Sequence, residues 1–124
     1  MTLKQVRLEL ARDPEFPNGS REHGYIMIAP LDDDGRILAE EWREVKERCR
    51  VVRFWGGEEE IGHLVRRPGG SWAFHYDVMG EEDDDESGYR FGDHRFVPGE
   101  YISIRDHDDE ELKTYRVITV NEIP

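Results

Sequence analysis

The sequence predicts a mainly β fold, either a small barrel or a strongly curved antiparallel sheet of about seven strands, with one short amphipathic helix. Short apolar runs alternate with polar residues and are separated by Gly and Pro at the spacing expected of an all-β domain. Only one segment has helical periodicity. The 124 residues fit a single compact domain, and 3 Trp, 5 Tyr and 5 Phe supply the apolar surface for one core.

The first two strands are indicated by different patterns. Val6, Leu8 and Leu10 alternate with polar residues, which is typical of a half-buried strand. The segment from Gly24 to Ala29 contains a continuous apolar run, which indicates a strand that is buried on both faces. Pro30 ends it, because proline cannot donate to a sheet.

The helix is predicted from Ile37 to about Cys49. Leu38, Trp42, Val45 and Cys49 recur at spacings of four, three and four residues, so they form one apolar stripe. Glutamates occupy the opposite face and favour the beginning of the segment, where they suit the helix dipole. We therefore expect a short helix that packs on the sheet.

A hairpin is predicted in the middle of the chain, with Ile61–Arg67 and Ser71–Val78 as its arms around Pro68-Gly69-Gly70. A turn centred on Pro68-Gly69 or on Gly69-Gly70 places odd positions of the first arm beside even positions of the second. The predicted core face then consists of Ile61, His63, Val65, Trp72, Phe74 and Tyr76. The opposite, polar face includes Arg66, His75 and Asp77, so His63 and His75 are expected on different faces.

The remaining chain is expected to contain a loop and a second hairpin. The unbroken acidic run Glu81–Glu86 predicts a mobile loop around 79–88, because adjacent carboxylates repel one another. Tyr89–Phe91 is expected to form a short strand. Tyr101–Arg105 and Leu112–Val120 are the arms of the last hairpin, and the second is rich in β-branched residues.

One segment resembles part of a calcium-binding loop in its spacing of carboxylates. Asp32, Asp34 and Glu41 match ligand positions three, five and twelve of such a loop, and Gly35 matches its turn position. Pro30 stands at the first position and has no side-chain oxygen. The alternative is an Asp-Gly turn that leads into the helix. We favour the turn, and we expect no metal or other cofactor.

Composition restricts the partners and the location of the protein. The net charge of −12 excludes a uniformly basic nucleic-acid binder. Four short segments, 32–34, 58–60, 81–86 and 106–111, hold 17 of the 29 carboxylates without any Lys or Arg, so basic faces remain possible elsewhere. The chain has no apolar run of about 20 residues and no signal-peptide pattern. We expect a cytoplasmic protein with no membrane association, either a monomer or a weak homodimer.

The sequence favours a non-enzymatic binding or protein-interaction module. Recognised catalytic motifs are absent, and Cys49 lies on the apolar stripe of the helix rather than in an activating environment. The candidate surface for a partner protein or a small ligand is the polar side of the hairpin. Its candidate residues are Arg66, Arg67, Trp72, His75 and Asp77.

Two other functions are considered. One is a small metal-assisted or acid/base enzyme that uses His75 and Asp77, which lie two residues apart on one strand face. The other is nucleic-acid binding through an arginine patch, which is disfavoured by the net charge. That patch would combine basic residues at the helix end and on the hairpin: Arg43, Lys46, Arg48, Arg50, Arg53, Arg66 and Arg67.

Overall fold

In the computed structural model, eight antiparallel strands follow one another in chain order around a closed barrel. The structure describes residues 3–77, 86–89, 91–92, 94–105 and 111–123. The strands are β1 (Leu3–Leu10), β2 (Ser20–Pro30), β3 (Arg50–Trp55), β4 (Glu58–Arg66), β5 (Trp72–Tyr76), β6 (Glu86–Tyr89), β7 (Tyr101–Arg105) and β8 (Leu112–Glu122). The ring closes because β1 pairs with both β2 and β8. The predicted fold class is confirmed, with eight strands instead of about seven.

The lumen of the barrel is the hydrophobic core. The predicted alternation in β1 is confirmed, since Val6, Leu8 and Leu10 are buried. In β2 the burial also alternates, because Ile26 and Ile28 are only half-buried on the outer face. The other large, fully buried side chains come from all around the ring: Tyr25, Met27, Leu64, Phe74, Tyr76, Ile102, Ile104 and Tyr115.

The helix is shorter than its periodicity predicts. It spans Ala39–Val45 as α1, and a single 3₁₀ turn follows at Lys46–Arg48. Ile37 does not join the helix because its backbone forms an isolated β-bridge with Leu31. The apolar stripe is nevertheless largely confirmed, since Trp42 and Val45 are buried and Cys49 lies directly before β3 with no exposed surface.

Connections in an up-and-down barrel alternate between its two ends. The helix connects β2 to β3, so it lies at the end of the barrel where β2, β4 and β6 end. The indole Nε1 of Trp42 donates a hydrogen bond to the carbonyl of Leu64 at 2.9 Å. Its ring meets the ring of Trp72 edge to face, with centroids 5.3 Å apart. Phe91 packs at the same end and fills the space over Gly88, where a Cβ atom would lie 2.5 Å from the ring.

Aromatic residues also pack together at the opposite end. His23 lies between Phe16 and Trp55, with ring centroids 4.4 Å and 4.6 Å away, and the hydroxyl of Ser20 contacts its Nδ1 atom at 2.6 Å. The guanidinium of Arg53 stacks on Trp55 at 4.4 Å from the ring centroid. Large side chains therefore pack near both ends of the lumen.

A buried carboxylate lies inside the barrel. Glu86, the first residue of β6, has no exposed surface and accepts hydrogen bonds from the hydroxyls of Tyr25, at 2.7 Å, and Tyr76. The second carboxylate oxygen of Glu86 lies 3.5 Å from Nε of Arg53. Another nitrogen of the same guanidinium, Nη1, donates a hydrogen bond to Glu60 at 3.3 Å. The two hydroxyl donors and the nearby positive charge of Arg53 offset the desolvation of the carboxylate, which would otherwise oppose its burial.

Glu86 also shows where the predicted acidic loop ends. The sequence predicts a loop around 79–88, but residues 86–89 form β6, and the rest of the predicted loop, 79–85, lies outside the described residues. The sequence predicts the short strand after this loop at Tyr89–Phe91. The observed strand begins three residues earlier, because pairing with β5 begins at Phe74 opposite Glu86.

Burial raises the pKa of both tyrosines that hold Glu86, and the charge of Glu86 raises it further. A phenolate there would lose its hydration and face a carboxylate. Both hydroxyls therefore remain protonated donors at pH values where an exposed tyrosine ionises.

We expect the free energy of unfolding to fall as pH rises above about 10, the ordinary tyrosine pKa. Below that pH the phenols are protonated in both states, so their contribution is complete. Above it, the phenols ionise in the unfolded chain while Tyr25 and Tyr76 stay protonated in the fold, which favours unfolding. Urea denaturation between pH 8 and 11.5 measures this decline, which should be shallower in the Tyr25→Phe/Tyr76→Phe double variant. An equally steep decline in that variant would contradict the assignment.

Candidate functional site

The hairpin that carries the predicted site has a different register from the one expected. Arg66 pairs with Trp72, Leu64 with Phe74 and Gly62 with Tyr76, so even positions face even positions. The reason is the turn, which comprises five residues: Arg67 donates its N–H to the carbonyl of Ser71 at 2.8 Å. Gly69 and Gly70 both have positive φ, at 93° and 90°, which permits this longer turn. An odd number of turn residues reverses the expected parity.

The change of register brings two histidines together. His63 and His75 are cross-strand partners on the outer face, so the prediction that they lie on opposite faces is wrong. Nδ1 of His63 lies 2.9 Å from Oδ1 of Asp77, so Asp77 forms its close contact with His63.

The predicted core face is half right. Trp72, Phe74 and Tyr76 are buried, as expected. Their lumenal neighbours in β4 are Gly62 and Leu64, and the residues predicted there lie outside the barrel, where 42% of Ile61 is exposed.

The predicted recognition residues are therefore divided between two positions. Arg66 and Trp72 pair at the end of the barrel, where the guanidinium carbon lies 5.6 Å from the centroid of the indole ring. His75 lies on the outer face of β5, and Asp77 directly follows that strand. Arg67 begins the turn.

Two adjoining clefts lie between the helix and this hairpin, and we call them together the helix–hairpin cleft. One has a volume of about 490 Å³ and is lined by Trp42, Lys46, Glu47, His63, Leu64, Val65, Arg66 and His75. The other has a volume of about 510 Å³ and is lined by Trp42, Arg43, Arg66, Arg67, Pro68, Gly69 and Gly70. Trp42 and Arg66 line both, so these two residues lie where the clefts meet.

Three of the five predicted recognition residues line the helix–hairpin cleft, namely Arg66, Arg67 and His75. Trp72 lies beneath it and contacts both Trp42 and Arg66. Asp77 is outside the lining and reaches it through His63. No pattern in the sequence predicts that Trp42 donates a hydrogen bond to the carbonyl of Leu64, the contact that fixes the helix against the hairpin.

The charge in the helix–hairpin cleft is positive. Arg43, Lys46 and Arg66 are exposed, and in the described part of the chain none of the three forms an ion pair. Glu47 is the only carboxylate in the lining. The cleft can therefore receive an anionic group, with the apolar surfaces of Trp42 and Val65 beside it.

The arginine patch predicted around the helix end is not continuous. Arg53 turns into the lumen, where it is only 6% exposed and forms ion pairs with Glu60 and Glu86. Arg43 and Lys46 line the helix–hairpin cleft instead. Within the predicted patch, Arg53 is thus part of the core, whereas Arg43 and Lys46 belong to the helix–hairpin cleft.

The backbone of the calcium-like segment forms a turn at residues 32–36 that the carboxylate of Asp32 stabilises. Oδ1 of Asp32 accepts hydrogen bonds from the N–H groups of Asp34 and Arg36, both at 2.9 Å. The Arg36 amide lowers the pKa of Asp32 most, because it stabilises the charged form. Glu41 lies in α1. In the described ranges, no group of three or more His, Cys, Asp or Glu side chains could hold a metal ion.

Comparisons with known proteins give no relative for this chain. No protein-family model, curated protein or solved structure matches it. Within the described residues, neither the length nor the hydropathy of any helix suffices to cross a membrane.

Cys49 has the environment of a core residue. It has no exposed surface, and its Sγ atom lies 3.5 Å from the carbonyl of Val45. Burial raises the pKa of its thiol to about 11, whereas a thiol nucleophile needs a lowered pKa.

We expect Cys49 of the folded protein to react with a thiol reagent such as dithionitrobenzoate at least ~100-fold more slowly than in the unfolded chain, because the reagent requires an exposed thiolate. The measurement is the rate of colour development at pH 8, with and without 6 M urea as the unfolded reference. A Cys49→Ser variant should give no colour and serves as the blank. Reaction of the folded protein as fast as the unfolded chain would show that the thiol is accessible.

Proposed function

We propose that this protein is a non-enzymatic interaction module that binds an acidic segment of a partner protein in the helix–hairpin cleft. The observation that carries the proposal is the set of three cations, Arg43, Lys46 and Arg66, that form no ion pair in the described part of the chain, although the full sequence contains 29 carboxylates. An acidic protein has many carboxylates with which to neutralise its cations. A cationic cleft that remains uncompensated is available to an anion from outside.

Arg66 is held in a position that suits this role. Its guanidinium lies over Trp72, and Trp72 is itself fixed by the edge-to-face contact with Trp42. A guanidinium that is already positioned loses less side-chain entropy when it binds a carboxylate. Arg66 also lines both halves of the cleft, so it can contact a segment that crosses from one half to the other.

The composition of the cleft also favours a protein partner. Arginine and tryptophan are enriched among residues that dominate protein interfaces. Trp42, Leu64 and Val65 are apolar members of the lining, and Arg43, Lys46 and Arg66 line the same clefts. The ligand class that fits is an extended segment with carboxylates beside one or two apolar side chains.

A defined peptide tests the proposal. We expect a fluorescein-labelled octaglutamate peptide with one central leucine to bind the protein at low ionic strength, and an octaglutamine analogue with the same leucine to show no binding. Arg43→Ala and Arg66→Ala should each weaken binding by roughly five- to twenty-fold, because each removes one charge-assisted hydrogen-bond donor. Fluorescence anisotropy gives the affinities.

Arg36→Ala is the matched control, since Arg36 is exposed and lies outside the cleft. Its affinity for the peptide should equal that of the unsubstituted protein. In ¹H–¹⁵N spectra the indole resonance of Trp42 should shift upon binding, because its N–H is fixed at Leu64 in the wall of the cleft. Absent binding, or equal losses in Arg36→Ala and Arg66→Ala, would refute the proposed site.

A further inference from the structure

A larger cleft lies on another part of the barrel and shares no residue with the helix–hairpin cleft. It has a volume of about 940 Å³ and is formed by the β1–β2 connection, the beginning of β2 and the outer faces of β7 and β8. The residues that matter for its chemistry are Arg12, Arg21, Arg116, Tyr101, Thr114 and Ile118. We call it the arginine–tyrosine cleft.

Its centre is fixed by strand register. Arg116 pairs with Glu9 on one side and with Tyr101 on the other, so these three residues form one row across β1, β8 and β7. Glu9 is already neutralised by Nε of Arg7 at 2.8 Å. Arg116 therefore stands between a compensated carboxylate and an aromatic ring.

The arginines leave the cleft with positive charge. Arg12, Arg21 and Arg116 are exposed, and none of them forms an ion pair with any residue in the described ranges. Glu22 is the only other carboxylate among the described residues that line the cleft. Guanidinium groups bind phosphate oxygens through paired hydrogen bonds, so several around one cleft favour a phosphorylated ligand.

Tyr101 adds a feature that phosphate alone does not require. Its side chain is 57% exposed, more than any other large hydrophobic side chain among the described residues. Leu10, Ala11 and Ile118 supply further apolar surface in the same cleft. An exposed aromatic ring beside arginines is the arrangement that stacks a nucleobase while the phosphate is held by charge.

We propose that the arginine–tyrosine cleft binds a nucleotide, with the phosphate on the arginines and the base against Tyr101. The cleft volume of about 940 Å³ lies within the range of small-molecule sites, roughly 300–1,000 Å³. The nucleotide can be a free nucleoside phosphate or one unit of a single-stranded nucleic acid, since both present the same phosphate and base. The proposal is independent of the acidic-segment site, because the two clefts share no residue.

The experiment compares ligands that contain each part of a nucleotide. Adenosine monophosphate, adenosine, ribose 5-phosphate and inorganic phosphate are titrated separately into ¹⁵N-labelled protein. We expect adenosine monophosphate to shift amide resonances of residues 10–12, 20–22, 101 and 114–118. Adenosine and ribose 5-phosphate should each bind at least roughly ten-fold more weakly, because stacking and charge each contribute on this scale.

Variants locate the two contributions. Arg116→Ala and Tyr101→Ala should each weaken binding of adenosine monophosphate by roughly ten-fold, whereas Tyr101→Phe should retain it because the ring remains. Arg36→Ala is again the control and should bind like the unsubstituted protein. These positions are exposed, so the spectra of the free variants should remain those of the folded barrel.

The outcomes separate the possibilities. If ribose 5-phosphate binds as well as adenosine monophosphate, or if no nucleotide binds, the proposal is wrong. If Arg36→Ala weakens the binding of adenosine monophosphate as much as Arg116→Ala does, binding is non-specific and the proposal is also wrong. Octathymidylate that binds more than eight-fold tighter than thymidine monophosphate identifies single-stranded nucleic acid as the source, and equal affinity per nucleotide identifies the free ligand.

Discussion

The barrel depends on one buried ion-pair cluster, in which Glu86 is held by Tyr25, Tyr76 and Arg53. These residues come from β6, β2, β5 and β3, so the contacts cross the lumen and connect strands that are not all neighbours. Among the described residues, β6 has three register pairs with β5 and two with β7, fewer than any other pair of neighbouring strands there. A charge with partners across the lumen compensates for this short backbone pairing. If Glu86 left the lumen, Arg53 would lose one of its two carboxylate partners.

Because side chains fill the lumen, the clefts described above lie on the outside of the barrel. Aromatic side chains pack near both ends, and the interior is occupied by side chains from most of the strands. Outer-face residues are then free to differ in charge without affecting the core. In this protein they form two separate cationic clefts on a chain of net charge −12. Average charge therefore describes solubility, while the local distribution of charge determines which ligands can bind.

The sequence predicts the fold well where a pattern is local. The alternation in β1 and the aromatic face of Trp72, Phe74 and Tyr76 are properties of single strands, and both are confirmed. The predicted hairpin register is wrong because the number of turn residues decides which side chains of the two arms share a face. The turn contains five residues, whereas the two predicted turns both contain an even number. The helix began later than expected because the bridge between Leu31 and Ile37 overrides periodicity.

The candidate site stays a proposal, and the sequence predicts only part of the cleft that would form it. Arg66, Arg67 and His75 line the helix–hairpin cleft, but the contribution of the helix depends on long-range contacts made by Trp42. Glu86 and Arg53 were read as members of charged surface runs. Glu86 contacts Tyr76, 10 residues away in sequence, and Tyr25, 61 residues away, and no local pattern reveals these contacts.

A double-mutant cycle between Tyr76 and Glu86 tests most directly whether the buried cluster stabilises the barrel. The free energy of unfolding is measured for Tyr76→Phe, Glu86→Gln and the double variant, with Tyr101→Phe in place of Tyr76→Phe as the exposed control. We expect a coupling energy of about 1–3 kcal/mol for Tyr76 with Glu86, as for buried hydrogen bonds to charged groups, and about zero for the control pair. A coupling energy for Tyr76 that equals that of the control would contradict the central role of the cluster.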